Sequence, residues 1–479
     1  MAIQHGISVR EADTAITAPV TGSNSVQVVI GTAPVNQAAD PAAVVNTPVL
    51  ANNAVEAMEK LGYSADFKSF TLCSVMYAMS NLYSIGPVVF INVLDPSKHS
   101  KTFSSEAVTV VDKQGTLSHD GVIPSSLSVS AGDKDLKLGT DYTVSFEDGK
   151  AVLTLVSEAT SLTVSGSYLD PSMVTASDII GGIDSSTGKE TGMEVIRQVY
   201  PKLSIVPGIL EAPYYSKQAE VAIALIAKCG NINGVFKAQA FVDIPSDSTG
   251  AKLYTDVKTV KEKMGIGSTF AQAYWPQAKV GSIQLPLSVV AAVRSQYLDN
   301  VNGDVPYNSP SNKDLAITGT VLEDGTEVIL DQDQANTVNS FGVVTALNLN
   351  GFRLWGNYTC AFPADNDAKN IWINVRRMFN WQANNFILNY IANVDDPMNR
   401  RLIDTIIDSE NIRCSSYAPE YWAGASIEYL DSDNTTSNIV AGHMLFRQHI
   451  APYTPAQFIE NVVDYDVDTL TAALTGGNA

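Results

Sequence analysis

Histidine is scarce in this chain and poorly placed for chemistry. Its 479 residues hold five (His5, His99, His119, His443 and His449), and none lies between residues 120 and 442. That removes the usual general base from the whole middle of the chain. His443 and His449 are six apart, which suits neither one helix face nor a HExxH metal pair. Cysteine is as thin: Cys73, Cys229, Cys360 and Cys414 are far apart, with no CxxC and no finger-like spacing. They read as small buried hydrophobes in a reducing compartment. No apolar run approaches the ~18 residues of a membrane span, so no membrane insertion is expected. The start, MAIQHGISVREAD, has no basic segment leading into an apolar one, which gives no secretion signal and implies assembly in the cytoplasm.

Basic residues are also outnumbered, 30 Lys and Arg against 50 Asp and Glu, for a formal charge of −20. Such a chain repels nucleic acid as a whole. A phosphate loop is missing too. Its nearest imitation, GGIDSSTGKETG at 181–192, has five residues between Gly182 and Gly188-Lys189, and Glu190 stands where a hydroxyl is required. Asp395-Asp396 is read as a helix cap rather than a metal site: Asp396-Pro397 supplies an N-cap and a first-turn proline for a helix over 397–410. No catalytic, cofactor-binding or metal-binding residue is assigned, and no cofactor is expected.

What the chain does have is length and α/β rhythm. SVQVVIGTAPV (25–35) and PVVFINVLDP (87–96) have the pattern of strands buried on both faces, and 53–62 and 70–86 read as helices. From 192 to 300 helix and strand patterns alternate repeatedly, which implies a largely parallel sheet covered on both sides. Between them, 103–175 has few helix formers, and Tyr142, Val144 and Phe146 alternate into a turn at Asp148-Gly149 before Ala151, Leu153 and Leu155 alternate back. This is a β-hairpin within an inserted all-β domain. The organisation expected is an N-terminal arm (1–20), the first part of an α/β region (21–102), the insert (103–175), a central α/β domain (176–340), an α+β C-terminal domain (341–457) and a C-terminal arm and tail (458–479).

In the C-terminal domain, Trp372, Val375, Phe379, Ala383, Phe386 and Tyr390 fall at steps of three and four, the apolar stripe of one long helix. Arg376, Asn380 and Asn384 lie opposite it. Seven of ten arginines lie between Arg353 and Arg447. A cationic cluster on an acidic chain suggests a face for an acidic partner, and Arg376, Arg377, Arg400 and Arg401 are the candidates, with internal salt bridges as the other reading. The end of the chain, ENVVDYDVDTL, alternates so that Val463, Tyr465 and Val467 face one way, the pattern of a strand.

Several segments resemble the contractile tail sheath family of bacteriophages and tailocins. They are HGISVREAD followed by VVIGTAP, the stretch from GGIDSSTGKETG through VPGILEAP to AFVDIP, the QAN…LNLNG…WGNYT segment, the helix start WINVRR, and APYTPAQFIENVVDYDVDTL, with Gln457 in a usual glutamate place. The resemblance covers about 1–100 and 175–479 and leaves out the insert. It implies a layered, subtilisin-like α/β domain without protease activity, since the required histidine is missing. It also implies a structural subunit, not an enzyme, that polymerises as a helical homo-oligomer of stacked six-fold rings around an inner tail tube protein. Baseplate and tail terminator proteins would cap the assembly. The sheath would contract to drive the tube through a target cell envelope, as part of a virion tail or tailocin particle. Subunits of this family are linked when terminal arms add strands to neighbouring sheets, and Ile7 and Val9 at one end and Val463, Tyr465 and Val467 at the other are the positions that would do so here. A type VI secretion sheath component and an α/β hydrolase with an unrecognised site are the alternative readings.

Overall fold

The computed structural model describes residues 20–21, 25–147 and 149–475. Ile7 and Val9, like the turn residue Asp148, lie outside the described residues. The architecture is mixed α/β, with one six-stranded sheet and several small, mostly antiparallel ones.

The large sheet is built from the short apolar runs that the sequence spaces with glycine and proline. Its strands are β1 (Gln27–Gly31), β2 (Pro48–Ala51), β3 (Val88–Asn92), β4 (Ile209–Glu211), β5 (Gln239–Asp243) and β6 (Ala271–Tyr274), in the order β6-β5-β4-β1-β3-β2. All neighbours are parallel except β2, which runs antiparallel to β3. Val28, Leu210, Ala240 and Ala271 form one cross-sheet row, and Val29, Glu211, Phe241 and Gln272 the next, facing the other side. Every residue of β1 and β3 is buried, as a sheet covered on both faces requires. The covering helices include α1 (Ala54–Leu61), α2 (Leu72–Asn81), α3 (Ala219–Cys229), α4 (Val257–Met264) and α5 (Leu287–Val301). Asn53 caps α1 by accepting from the Glu56 amide, and Gly62 ends it at φ 78°, where a side chain would be strained. Helix α2 stops at Asn81, short of the expected 86, and the chain enters a two-residue strand at Ile85–Gly86.

Between β3 and β4, strands from Ser100 to Leu169 gather around a hydrophobic core of their own that includes Val108, Leu117, Val129, Tyr142, Leu153 and Val164. The hairpin has the expected register, Val144 opposite Leu153 and Phe146 opposite Ala151.

The C-terminal part consists of α6 (Ile373–Tyr390), α7 (Arg400–Ser416), and the antiparallel pair β7 (Trp422–Glu428) and β8 (Arg447–Pro452), followed by α8 (Val467–Thr475). Three expectations change here. Helix α7 begins at Arg400, capped by Asn399, whose side chain accepts from the Leu402 amide at 3.0 Å, so Asp396-Pro397 is not its cap. The terminal alternation does not form a strand: 453–466 has no regular partner, and from Val467 the chain is helical.

The third change concerns the face of α6. Arg376, Asn380 and Asn384 are buried, while Phe379, Ala383, Phe386 and Tyr390 are only half-buried. The polar side is turned into the protein because partners wait there. The Asn384 amide donates to the Lys237 carbonyl at 2.8 Å and accepts from the Lys237 amide at 2.9 Å, and Asn380 donates to the Ala238 carbonyl at 3.2 Å. An asparagine that meets a backbone donor and acceptor together satisfies groups that β5 leaves open at its start.

Candidate assembly surface

Helix α6 joins the two halves of the molecule. Arg377 forms a buried two-pronged ion pair with Asp299 at the end of α5, one prong at 3.2 Å. Arg376 donates to Asn380 at 3.1 Å, and its guanidinium lies 5.4 Å from the Phe270 ring centre and 5.5 Å from that of Phe379. Arg376 is 8% and Arg377 5% exposed, so neither presents a tube- or neighbour-facing surface; the internal salt bridge expected as the other reading is made by Arg377, while Arg376 is held inside by Asn380 and two aromatic rings. A guanidinium can be buried in this way because its fork finds a carboxylate and its flat face finds aromatic rings. Arg400 and Arg401, by contrast, are exposed in the first turn of α7, where Arg400 pairs with Asp404 at 2.9 Å.

On its far side α6 anchors the hairpin. Trp381 packs with Trp422 of β7, ring centres 6.0 Å apart, in a small core with Met378 and Cys414. Above it sits Glu410 of α7, fully buried. It accepts from Gln382 at 2.7 Å, from Gln448 of β8 at 2.8 Å, from Arg413 at 2.9 Å and from the Tyr390 hydroxyl at 3.1 Å. Burial works to raise this carboxyl, but the hydrogen bonds and charge of Arg413, with the two glutamine amides, outweigh it and hold it down to about 2. One carboxylate thereby ties α6, α7 and β8 together.

The hairpin is otherwise unfinished. Among the described residues no third strand pairs with β7 or β8. Two strands with open edges are marginal alone and are templates for another chain. After β8 the chain is pinned at a root. The Asn374 amide donates to the Tyr453 carbonyl at 2.9 Å, and the Tyr453 hydroxyl to the Pro419 carbonyl at 2.9 Å. Gln457 donates to the Tyr358 hydroxyl at 3.0 Å and accepts from Asn357 at 3.3 Å. Beyond Gln457 the large apolar side chains stand mostly in solvent. Phe458, Ile459, Val462, Val463 and Tyr465 are each at least 76% exposed, and Val467 is 54% exposed. Sequence alternation marked Val463, Tyr465 and Val467 but not Phe458 and Ile459, whose signal is plain in hindsight: adjacent large apolar residues just past a proline-containing turn.

The α/β body holds two further carboxyls at the carboxyl ends of parallel strands, where ligand sites of such sheets lie. Asp243 accepts from the Ser288 amide at 3.0 Å and hydroxyl at 2.6 Å, and burial pushes it up to about 6. Glu211 is fully buried without a hydrogen-bond partner and is pushed well up by burial, then by the nearby charge of Asp243. The space beside Asp243, lined by Tyr214, Tyr274 and Glu323, is about 10 Å³, no more than one water would fill. A substrate has no room there.

No family model matches the chain. Over 99% of both chains it is 26% identical to the tail sheath protein of Burkholderia phage BcepMu. It is 24% identical to the tail sheath protein of Escherichia phage P2 over 60% of this chain and 69% of that one. In fold it matches the PVC sheath complex of an extracellular contractile injection system in its contracted state, with TM-score 0.56 at 13% identity, covering 98% of this chain and 99% of that one. The chain is thus similar end to end to a phage tail sheath protein and has the fold of an injection-system sheath subunit.

Proposed function

We propose that this sheath subunit polymerises as stacked six-fold rings around an inner tail tube, and that its terminal arms hold the polymer together while it contracts. The observation that carries the reading is a donor and an acceptor on one chain that do not satisfy each other. Residues 458–465 carry exposed apolar side chains and no regular secondary structure, and β8 offers an edge that no third strand of the described residues covers, while Asn411 bridges the β7 edge at Ile427. A donor on one copy that fits an acceptor on the next is a head-to-tail contact, and repetition of such a contact builds rings or helices. Strand addition is the matching chemistry. About five backbone hydrogen bonds at roughly 1 kcal/mol each, with two or three buried side chains at roughly 1.5–3 kcal/mol, give a link that survives sliding of the bodies. The N-terminal segment with Ile7 and Val9 is the second donor. Contraction is then a repacking of α/β bodies toward larger contacts, with no nucleotide in the cycle.

Exposed Arg400 and Arg401 are the remaining candidates for a tube- or neighbour-facing surface. The inner tube, the baseplate and the tail terminator are the partners of the finished particle, a phage tail or tailocin assembled in the bacterial cytoplasm. Electron microscopy of the protein expressed alone tests the reading: striated hollow tubes are expected, and a chain ending at Gln457 should give soluble folded monomers instead. Tubes from the truncated chain would overturn the arm's role. Dispersed monomers of the full chain at high concentration would overturn the assembly.

A further inference from the structure

The last helix carries an apolar stripe that the described residues of its own protomer leave largely exposed. Helix α8 spans nine residues, none buried. Asp466 starts it, accepting from the Thr469 amide at 2.9 Å and from the Thr469 hydroxyl at 2.5 Å. Val467, Leu470 and Leu474 follow at steps of three and four and form one apolar stripe, 54%, 42% and 79% exposed. An isolated helix shorter than about 12 residues is marginal in water, and tertiary packing of its apolar face is what ordinarily holds it. This stripe therefore needs a surface that lies outside the protomer.

A matching surface stands at the tip of the β7–β8 hairpin. Between the two strands, Ile439, Val440 and Leu445 are 42%, 82% and 46% exposed. Direction and length bring the two together. A donor strand laid antiparallel along β8 enters beside Pro452 and leaves beside Arg447, at the tip. Residues 458–465, extended at about 3.3 Å each, span roughly 26 Å, while the six residues of β8 span roughly 20 Å. The donor thus overruns β8 by about two residues, and the helix begins next to Leu445. Arg447, half-exposed at that end and already paired with Asp433 at 2.7 Å through Nη2, stands where the arm's Asp464 and Asp466 arrive and keeps further guanidinium donors for them. The protomer's own arm starts at the opposite end of β8, beyond Pro452, and is pinned there through Tyr453 and Gln457.

We infer that α8 of one copy docks through Val467, Leu470 and Leu474 onto Ile439, Val440 and Leu445 at the hairpin tip of a second copy. This rests on the strand-exchange reading above and adds a helical anchor to it. The strand fixes direction and register, and the anchor stops the strand from sliding along the edge, since a shift of two residues would pull the stripe off its patch. The inferred contact joins two copies of this chain, so it exists only in the assembly.

Paired cysteines test it. The four native cysteines are buried, so Leu474→Cys and Val440→Cys can be placed in one chain and oxidised with copper–phenanthroline, which takes up the electrons of the two thiols. A covalent ladder of dimers and higher multimers is expected from assembled tubes. A 1:1 co-assembly of the two single variants should stop at dimer. Native tubes without any ladder from the paired variant would overturn the anchor while leaving strand exchange standing. A cross-linked product of monomer size would put α8 on its own hairpin and overturn it as well. If the native full chain forms no tubes, both readings fall. As a second readout, Leu470→Asp with Leu474→Asp should lower the yield of long tubes at least tenfold while leaving the far-ultraviolet spectrum and melting temperature of the monomer unchanged; undiminished tubes would remove α8 from the assembly contacts.

Discussion

The α/β body and the C-terminal hairpin solve the same problem in opposite ways. Both present strands whose backbone groups and apolar side chains need partners. The body supplies them for its central strands: β1 and β3 are covered on both sides, and the buried polar face of α6 caps the start of β5 through Asn380 and Asn384. The hairpin is tied at one face by Glu410 and Trp422 and its β7 edge is bridged by Asn411 at Ile427, but among the described residues no further strand pairs with β8, and the apolar side chains of the arm beyond Gln457 stand mostly in solvent. A finished region can move as a rigid unit. An unfinished one must be completed by a neighbour. A contractile polymer needs both, in one chain.

The sharpest way to break this division is to damage the body. Arg377→Ala removes the partner of Asp299 and strands a carboxyl with 0% exposure. Removing one member of a buried pair costs about 3–5 kcal/mol. The melting temperature of the monomer should fall steeply, whereas truncation at Gln457 should leave it unchanged. Equal losses from the two changes would mean that the arm is part of the body after all.

Next in size is the joint between the regions. Glu410→Ala leaves Gln382, Gln448 and Arg413 without their common acceptor and should cost roughly 2–3 kcal/mol. The native joint is also acid-sensitive in a defined direction. The folded carboxyl titrates at about 2 against an ordinary 4.5, so its contribution is complete above pH ~4.5 and is lost as the pH falls through about 2. Urea midpoints of native protein and Glu410→Ala should draw together as the pH falls from ~4.5 to about 2. A constant gap across that window would remove Glu410 from the list of ionised ties.

How far the sequence exposes this division depends on the kind of partner involved. The body is legible because its partners are apolar and local: VVIG, VVFIN and AFVD run into glycine or proline and alternate with helical periods. The hairpin of the insert is legible for the same reason, through alternation around Asp148-Gly149. Helix α6 shows the limit. Its length follows from period, but its buried side does not, because Asn380, Asn384 and Arg376 are buried by contacts to Lys237, Ala238 and Phe270, more than a hundred residues away. Ile373, Met378 and Trp381, apolar residues off the expected stripe, were the available sign that the helix is covered nearly all round. The terminal segment misleads in another way: Val463, Tyr465 and Val467 alternate, while Val467, Leu470 and Leu474 step by three and four, and the helical period prevails from Asp466 onward because its side chain caps the turn.

A third test sharpens the view of the body as a closed unit. Glu211 lies unpartnered between β1 and β5, and burial favours its neutral form. Its folded affinity for the proton exceeds the unfolded one, so the contribution is fully present below the ordinary 4.5 and is lost as pH rises through the raised value. Glu211→Gln keeps the shape and removes the charge. The variant should match native stability near pH 4 and exceed it at pH 8 by about 1–3 kcal/mol, as expected when a buried polar group is freed from ionisation. Thermal melts at the two pH values check it, and a variant less stable at pH 8 would show that the carboxylate is held ionised by partners.

The smallest effect on the monomer and the cleanest on assembly should come from Arg400→Glu with Arg401→Glu. Both side chains are exposed at the start of α7, and the one pair that Arg400 makes, with Asp404, is a solvated i,i+4 contact, contributing about 0.3–0.5 kcal/mol at most. The cations also sit at a helix N-terminus, where the dipole disfavours them by a few tenths of a kcal/mol, so the glutamates should offset even that loss. Monomer melting should therefore shift by less than about 2 °C for a chain of this size. Any larger consequence must arise between molecules. Reduced or irregular tubes, partly restored at high salt where like charges are screened, would assign the pair to a contact with tube or neighbour. Unchanged tubes at both salt concentrations would return Arg400 and Arg401 to the solvated surface, leaving the arm and the hairpin to hold the lattice.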